Sequence, residues 1–182
     1  MNPNISPDDL RGFALLEGFS DAALTELISH CETTVCPPET IVLEQGDNDR
    51  ALVFVLDGSV EVRIAVPHVG NEVVATLPAG SVFGEVSFFH AAPHSATVAC
   101  VESARLMRLE RSKFDELKAA DSLLALALAA NAAELLGERL QQIDDWLAQR
   151  LTEIQDRRLH ESWRRFREHV GRPTYVSGGF KV

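Results

Sequence analysis

Between Thr40 and Leu109 the chain carries six short runs rich in β-branched and apolar residues: Ile41 to Leu43, Leu52 to Leu56, Val60 to Ile64, Val73 to Leu77, Thr97 to Val101 and Leu106 to Leu109. Turn signals separate them, namely Gly46-Asp47, Asp57-Gly58, Gly70-Asn71, Pro78-Ala79-Gly80 and Ala92-Pro93. Short strands at this spacing bury their apolar faces by closing over one another. The segment therefore predicts a β-sandwich, a jelly roll or a barrel.

Helical periodicity flanks this segment on both sides. From Ser6 to Ser29 the apolar positions are Leu10, Phe13 and Leu16, then Leu24, Leu27 and Ile28, with a break at Gly18 and a cap at Ser20. Pro37 and Pro38 close that helical region. A second one opens near Ser112, read as a cap with Asp115 three residues on, and no proline interrupts Asp121 to Val170. One long helix is expected there, or two with a kink at Gly137. Along it Leu136, Leu140, Ile143, Leu147, Leu151 and Ile154 recur at near-heptad spacing, which suggests a helix partner in a homodimer, or packing on the chain's own β-domain. The expected organisation is α+β: residues 1–120 as a β-domain with N-terminal helices, 121–170 as a long C-terminal dimerisation helix, and 171–182 as a flexible tail containing Ser177-Gly178-Gly179.

With 182 residues, 46% apolar and 24% charged, the chain has enough apolar content for one core and an appendage. Its formal charge of -10 opposes broad binding to phosphate backbones. That charge is uneven, because Arg157 to Val182 carries +5 and the preceding residues -15. Within the basic end, Leu159, Trp163, Phe166 and Val170 form an apolar stripe, so segment 157–172 is a candidate protein-docking helix, or one that folds back on the acidic body. The most apolar run, Leu123 to Ala133, is interrupted by Asn131 and too short to span a bilayer. Membrane association is disfavoured. An odd cysteine count (Cys31, Cys36, Cys100) and an opening without a leader pattern point to a reducing cytoplasm.

The chemistry concentrates in Gly80 to Thr97. Two glycines permit tight backbone there, Ser95 and neighbouring amides suit a small anion nest, and Glu85 among apolar residues calls for a donor. Together with Glu44-Gln45-Gly46-Asp47, Asp57-Gly58 and Phe83-Gly84-Glu85, this segment resembles the cyclic nucleotide-binding domain family, in its catabolite-activator-type sensors without a winged helix-turn-helix. The resemblance implies an eight-stranded jelly roll with flanking N-terminal helices, a hinge helix and a long dimerising helix. It implies a cyclic nucleotide as ligand and no other cofactor. Glu85 would accept the ribose 2′-hydroxyl, Gly84 and Val86 would line the sugar, and Ser95 and Ala96 would donate to the cyclic phosphate. The family's cassette has arginine where this chain has His94, which exchanges a permanent two-pronged charge for a single donor. The long-helix stretch Glu138-Arg139-Leu140 has no hydroxyl residue for a base, so Arg139 is the ligand candidate there, or else a salt-bridged surface residue.

Other chemistries find little support. His68, His90 and His94 lie near Glu85, but no His-x-His pair sets up a metal site. No nucleophile elbow, phosphate-binding lysine loop or dinucleotide fingerprint occurs, so no catalytic residue is assigned and the chain is not expected to be an enzyme. About a dozen residues follow Val170, too few for a recognition helix, and sequence-specific DNA binding is not expected. The reading is a bacterial regulatory module with weak or altered ligand binding that signals through a dimeric helix, or alternatively a degenerate dimeric scaffold.

Overall fold

A computed structural model describes residues 5–66, 68–153 and 161–166. Among the described residues, eight strands form two four-stranded antiparallel sheets. The strands are β1 (Glu32–Cys36), β2 (Ile41–Leu43), β3 (Ala51–Asp57), β4 (Ser59–Val66), β5 (Gly70–Pro78), β6 (Val82–Phe83), β7 (Thr97–Cys100) and β8 (Ala104–Glu110). One sheet has the order β1-β8-β3-β6 and the other β2-β7-β4-β5, the jelly-roll arrangement. The helices are α1 (Asp21–Ser29), α2 (Glu85–Phe89), α3 (Arg111–Ala119) and α4 (Leu123–Glu153). The expected α+β jelly roll with N-terminal helices and a long C-terminal helix is the fold observed.

The central strand shows why the sequence folds this way. β3 reads Ala-Leu-Val-Phe-Val-Leu-Asp without polar alternation because both of its faces are covered. Ala51, Val53 and Val55 point into the space between the sheets with Val60, Phe83, Val98 and Leu106. Leu52 and Phe54 point the other way, into a layer built by Leu10, Leu27, Phe88, Met107, Leu109, Phe114 and Leu128. Strand and helix layers thus share one strand. Gly58 turns β3 into β4 with φ +79°, and a Cβ there would stand 2.5 Å from the Ser103 carbonyl oxygen, so no other residue fits without displacing backbone.

Several local expectations need correction. The stretch from Ser6 to Gly18 is two short 3₁₀ turns, Pro7–Leu10 and Ala14–Leu16, broken by Gly12, whereas α1 begins at the expected Ser20 cap, whose hydroxyl accepts from the Ala23 amide at 3.3 Å. β1 and the two-residue β6 were not expected as strands. Helix α3 starts two residues earlier than expected, with Glu110 at its N-cap and Ser112 inside it. α4 is a single 31-residue helix through Gly137.

The chain forms two compact units, 1–135 and 136–182. The first turns of α4 belong to the first unit, where Leu124, Ala125, Leu128 and Ala132 are buried and the Asn131 amide donates to the Leu15 and Glu17 carbonyls, each at 3.0 Å. In the second unit Leu140, Ile143 and Trp146 are each 58% exposed. Residues 161–166 are helical, with Trp163 stacked on Phe166 at 5.3 Å. Ile154, Leu159, Val170 and the 171–182 tail lie outside the described residues, as do the side chain of Leu151 and most of segment 157–172. Among the described residues no helix is long and apolar enough to cross a membrane.

Candidate functional site

The predicted site is built around the junction of β6 and α2. β6 pairs with β3 at Val53 and Phe54, and the chain then turns at Gly84 with φ +84°. A Cβ on Gly84 would lie 2.3 Å from the Ala51 carbonyl oxygen, inside van der Waals contact, so only glycine lets α2 start this close to β3. α2 is five residues long and would leave its last carbonyls open. Two guanidinium groups take them: Arg50 Nε donates to Ser87 O at 3.0 Å and its Nη2 to Phe88 O at 2.6 Å, while Arg111 Nη1 donates to Phe88 O at 2.7 Å. Phe88 is fully buried, edge-on to Phe89 and Phe114, and Arg111 lies over the Phe88 and Phe114 rings at 5.6 and 5.0 Å. These contacts fix α2 on the body of the domain.

The loop after α2 is tied to the Glu44-Gln-Gly-Asp47 turn by a reciprocal backbone pair. His94 N donates to Asp47 O at 2.8 Å, and Gly46 N donates to His94 O at 2.9 Å. Gln45 extends the link: its amide donates to Thr97 Oγ1 at 3.1 Å, and its side-chain oxygen accepts from the Ala65 amide at 2.8 Å. The motif that carried the resemblance thus holds the loop leading into β7.

The His94 side chain points inward and is 6% exposed. Its Nδ1 lies 2.9 Å from Ser87 Oγ and its Nε2 2.7 Å from Asp49 Oδ1. Asp49 also accepts from Arg108 Nη2 at 2.6 Å, and Arg108 Nε donates to Glu110 at 2.5 Å. With the ring proton on Nε2 donated to Asp49, Nδ1 accepts from the Ser87 hydroxyl. With both nitrogens protonated, Nδ1 donates instead, and the Ser87 hydroxyl is free to donate to Gly84 O at 3.2 Å. Either form satisfies the buried groups. Burial of Asp49 acts to raise its pKa, but hydrogen bonds and charge from Arg108 and His94 outweigh it and hold the carboxyl below its ordinary value.

The two halves of the predicted site are therefore joined by the Ser87 to His94 contact. Glu85 is 6% exposed and partnered, Gly84 and Ala96 are partly buried, Ser95 is exposed, and Val86 is 48% exposed. His94 was expected to offer a donor outward, but both of its ring nitrogens are engaged within the domain. Arg139 is on α4 in the second unit, near Gln142, Ile143 and Trp146. His68 and His90 are exposed. Sequence reasoning missed Asp49, Ser87 and Arg108. A hydroxyl inside the apolar run of α2 was a usable signal, since burying it demands a partner.

The family model described as the cyclic nucleotide-binding domain matches residues 33–121. A cyclic AMP receptor protein of Thermus thermophilus is 30% identical over 138 residues, 74% of this chain and 61% of that protein. The crystal structure of a cyclic nucleotide-binding domain from Methylobacillus flagellatus superposes with a TM-score of 0.71 at 24% identity, over 79% of this chain and 83% of that one. The Thermus thermophilus catabolite activator protein gives 0.66 at 26% identity, over 74% and 62% of the two chains. The chain spans about three fifths of the Thermus proteins it matches.

Proposed function

Residues 33–121 belong to the cyclic nucleotide-binding domain family, and from that premise we propose a regulatory module whose phosphate clamp has been replaced by an internal histidine strut. In this reading Glu85 accepts a ribose hydroxyl, the Gly84 and Val86 backbone lines the sugar, and Ser95 and Ala96 donate to the cyclic phosphate. The observation that carries it is the inward His94, bonded to Ser87 and Asp49. An arginine at this position would bring a permanent charge and a fork of donors to the phosphate. Forgoing such a contact costs about 2–5 kcal/mol, or roughly 30-fold to several-thousand-fold in affinity. Ligand binding is accordingly weak or altered.

Output runs through α4 as a homodimer. Leu140, Ile143 and Trp146 in the second unit, and Leu123 and Leu126 at 80% and 68% exposure in the first, are apolar side chains that water does not favour and a second helix would cover. A ligand shifts the dimer only by binding one of its states more tightly than the other. Three cysteines that form no disulfide with one another fit a reducing, cytoplasmic compartment.

A second reading, a dimeric scaffold that binds no nucleotide, is favoured by the hydrogen bonds that tie the cassette to the rest of the domain through His94, Arg50 and Arg111. Thermal-shift measurements with cyclic mono- and dinucleotides at millimolar concentration separate the two. A raised melting temperature supports the sensor, and one unmoved by every ligand supports the scaffold. Sedimentation equilibrium tests the dimer, which the paired substitutions Leu140→Asp and Ile143→Asp should convert to monomer.

A further inference from the structure

Cys36 ends β1 opposite Ala104 of β8, and Cys100 ends β7 opposite Val60 of β4, so the two thiols belong to different sheets. The chain nevertheless brings them together. After Pro37 and Pro38 the backbone closes onto Cys100 from both sides: Glu39 N donates to Cys100 O at 2.8 Å, and Cys100 N donates to Thr40 O at 3.0 Å. Cys36 packs against the core cluster that contains Cys100, and the two thiol groups interact. Their environments differ. Cys100 is fully buried, whereas Cys36 is half-buried and lines a cavity of about 190 Å³ with Thr34, Thr40, Ile41 and Arg108. That volume admits a molecule the size of a peroxide to Cys36, whereas Cys100 is fully buried and does not line it.

We propose that Cys36 and Cys100 form a reversible intramolecular disulfide when the protein meets a peroxide. The step is independent of nucleotide binding. The Cys36 thiol gives up its proton and the thiolate attacks one peroxide oxygen; the O–O bond breaks, Cys36 becomes a sulfenic acid, and the departing hydroxide takes the thiol's proton to leave as one water. Cys100 sulfur then attacks the Cys36 sulfur, the S–O bond breaks, and the departing hydroxide takes the Cys100 proton as a second water. Two thiols lose two electrons and the peroxide gains them. Burial first, and then the neighbouring Cys36, push the Cys100 thiol up to about 11, so it keeps its proton until that second step. The link staples one sheet to the other at the far end of β7 from Ser95 and Ala96.

The test treats the full chain, under native conditions, with hydrogen peroxide and maps peptides without reduction. The expected result is a Cys36-to-Cys100 peptide lacking two hydrogens, reversed by dithiothreitol, with a melting temperature raised by about 5 °C or more because the link constrains a long loop of the unfolded chain. Cys36→Ser and Cys100→Ser should each abolish both effects. Cys31, buried in the helical layer and pushed up to about 12, should stay reduced in every case. Cys36 driven to sulfinic acid with Cys100 untouched, a bond to Cys31, or a Cys36-linked dimer would each overturn the proposal.

Discussion

Replacing Gly84 by alanine tests the geometry on which the whole candidate site rests. Two separable penalties follow from the structure. The φ of +84° places an L-residue in the left-handed region, which costs about 1–2 kcal/mol. The new methyl group would also stand 2.3 Å from Ala51 O and 3.4 Å from Leu43 Cδ1. Ala51 is fully buried and paired with Glu110 of β8, so its carbonyl yields only if β3 moves. Overpacking of this kind costs about 1–3 kcal/mol more, for a total of roughly 2–5 kcal/mol. Gly80 is the matched control, with φ +89° and nothing within 4 Å of a built Cβ. Gly80→Ala should therefore lose the conformational penalty alone. In urea unfolding followed by far-UV circular dichroism, Gly84→Ala should have a midpoint about 0.5 M or more below that of Gly80→Ala. Equal midpoints for the two variants would refute the close approach of α2 to β3.

Three further outcomes follow from named contacts. Because the folded pKa of Asp49 is depressed, its stabilising contribution is complete above the ordinary value of 3.8 and is lost as the pH falls through the lower folded value. The stability advantage of wild type over Asp49→Asn in chemical unfolding should shrink on acidification across that window, and an advantage unchanged at about pH 2 would contradict the network. Leu128, fully buried, anchors α4 in the first unit, so Leu128→Ala should cost about 2–5 kcal/mol in the same unfolding assay. Arg50→Ala removes the donor to Ser87 O and leaves Phe88 O to Arg111 alone, and should lower stability by about 1–3 kcal/mol; a loss within about 0.5 kcal/mol would show that α2 does not need this clamp.

How far the sequence could be read depended on how much signal each element carries. β3 and β8 were legible because a buried strand must be apolar, and β4 and β5 because the Asp57-Gly58 and Gly70-Asn71 turns bracket them. β1 was missed since Glu32-Thr-Thr-Val-Cys36 shows no apolar alternation and is mostly exposed; it is a strand because β8 offers it a register, which is a tertiary fact. β6, with two residues, is too short for any period. The 3₁₀ turns before α1 share helical spacing at Leu10, Phe13 and Leu16 with a true helix, and only the Gly12 break distinguishes them. At the site, Gly84, Glu85 and Ser95 could be named from motif positions. The direction of the His94 side chain could not, because it is set by Asp49, 45 residues away in sequence, and by Arg108, which lies on another strand.

In the proposed reading His94 serves the inside of the domain in place of an arginine that would serve a phosphate. Isothermal titration of cyclic AMP into wild type and His94→Arg, with folding of both checked by circular dichroism, addresses it most directly. Wild type should bind no tighter than about 0.1 mM, and the variant should gain about 30-fold or more, the affinity of one charge-assisted phosphate contact. Low-micromolar binding by wild type, with no gain from His94→Arg, would contradict it.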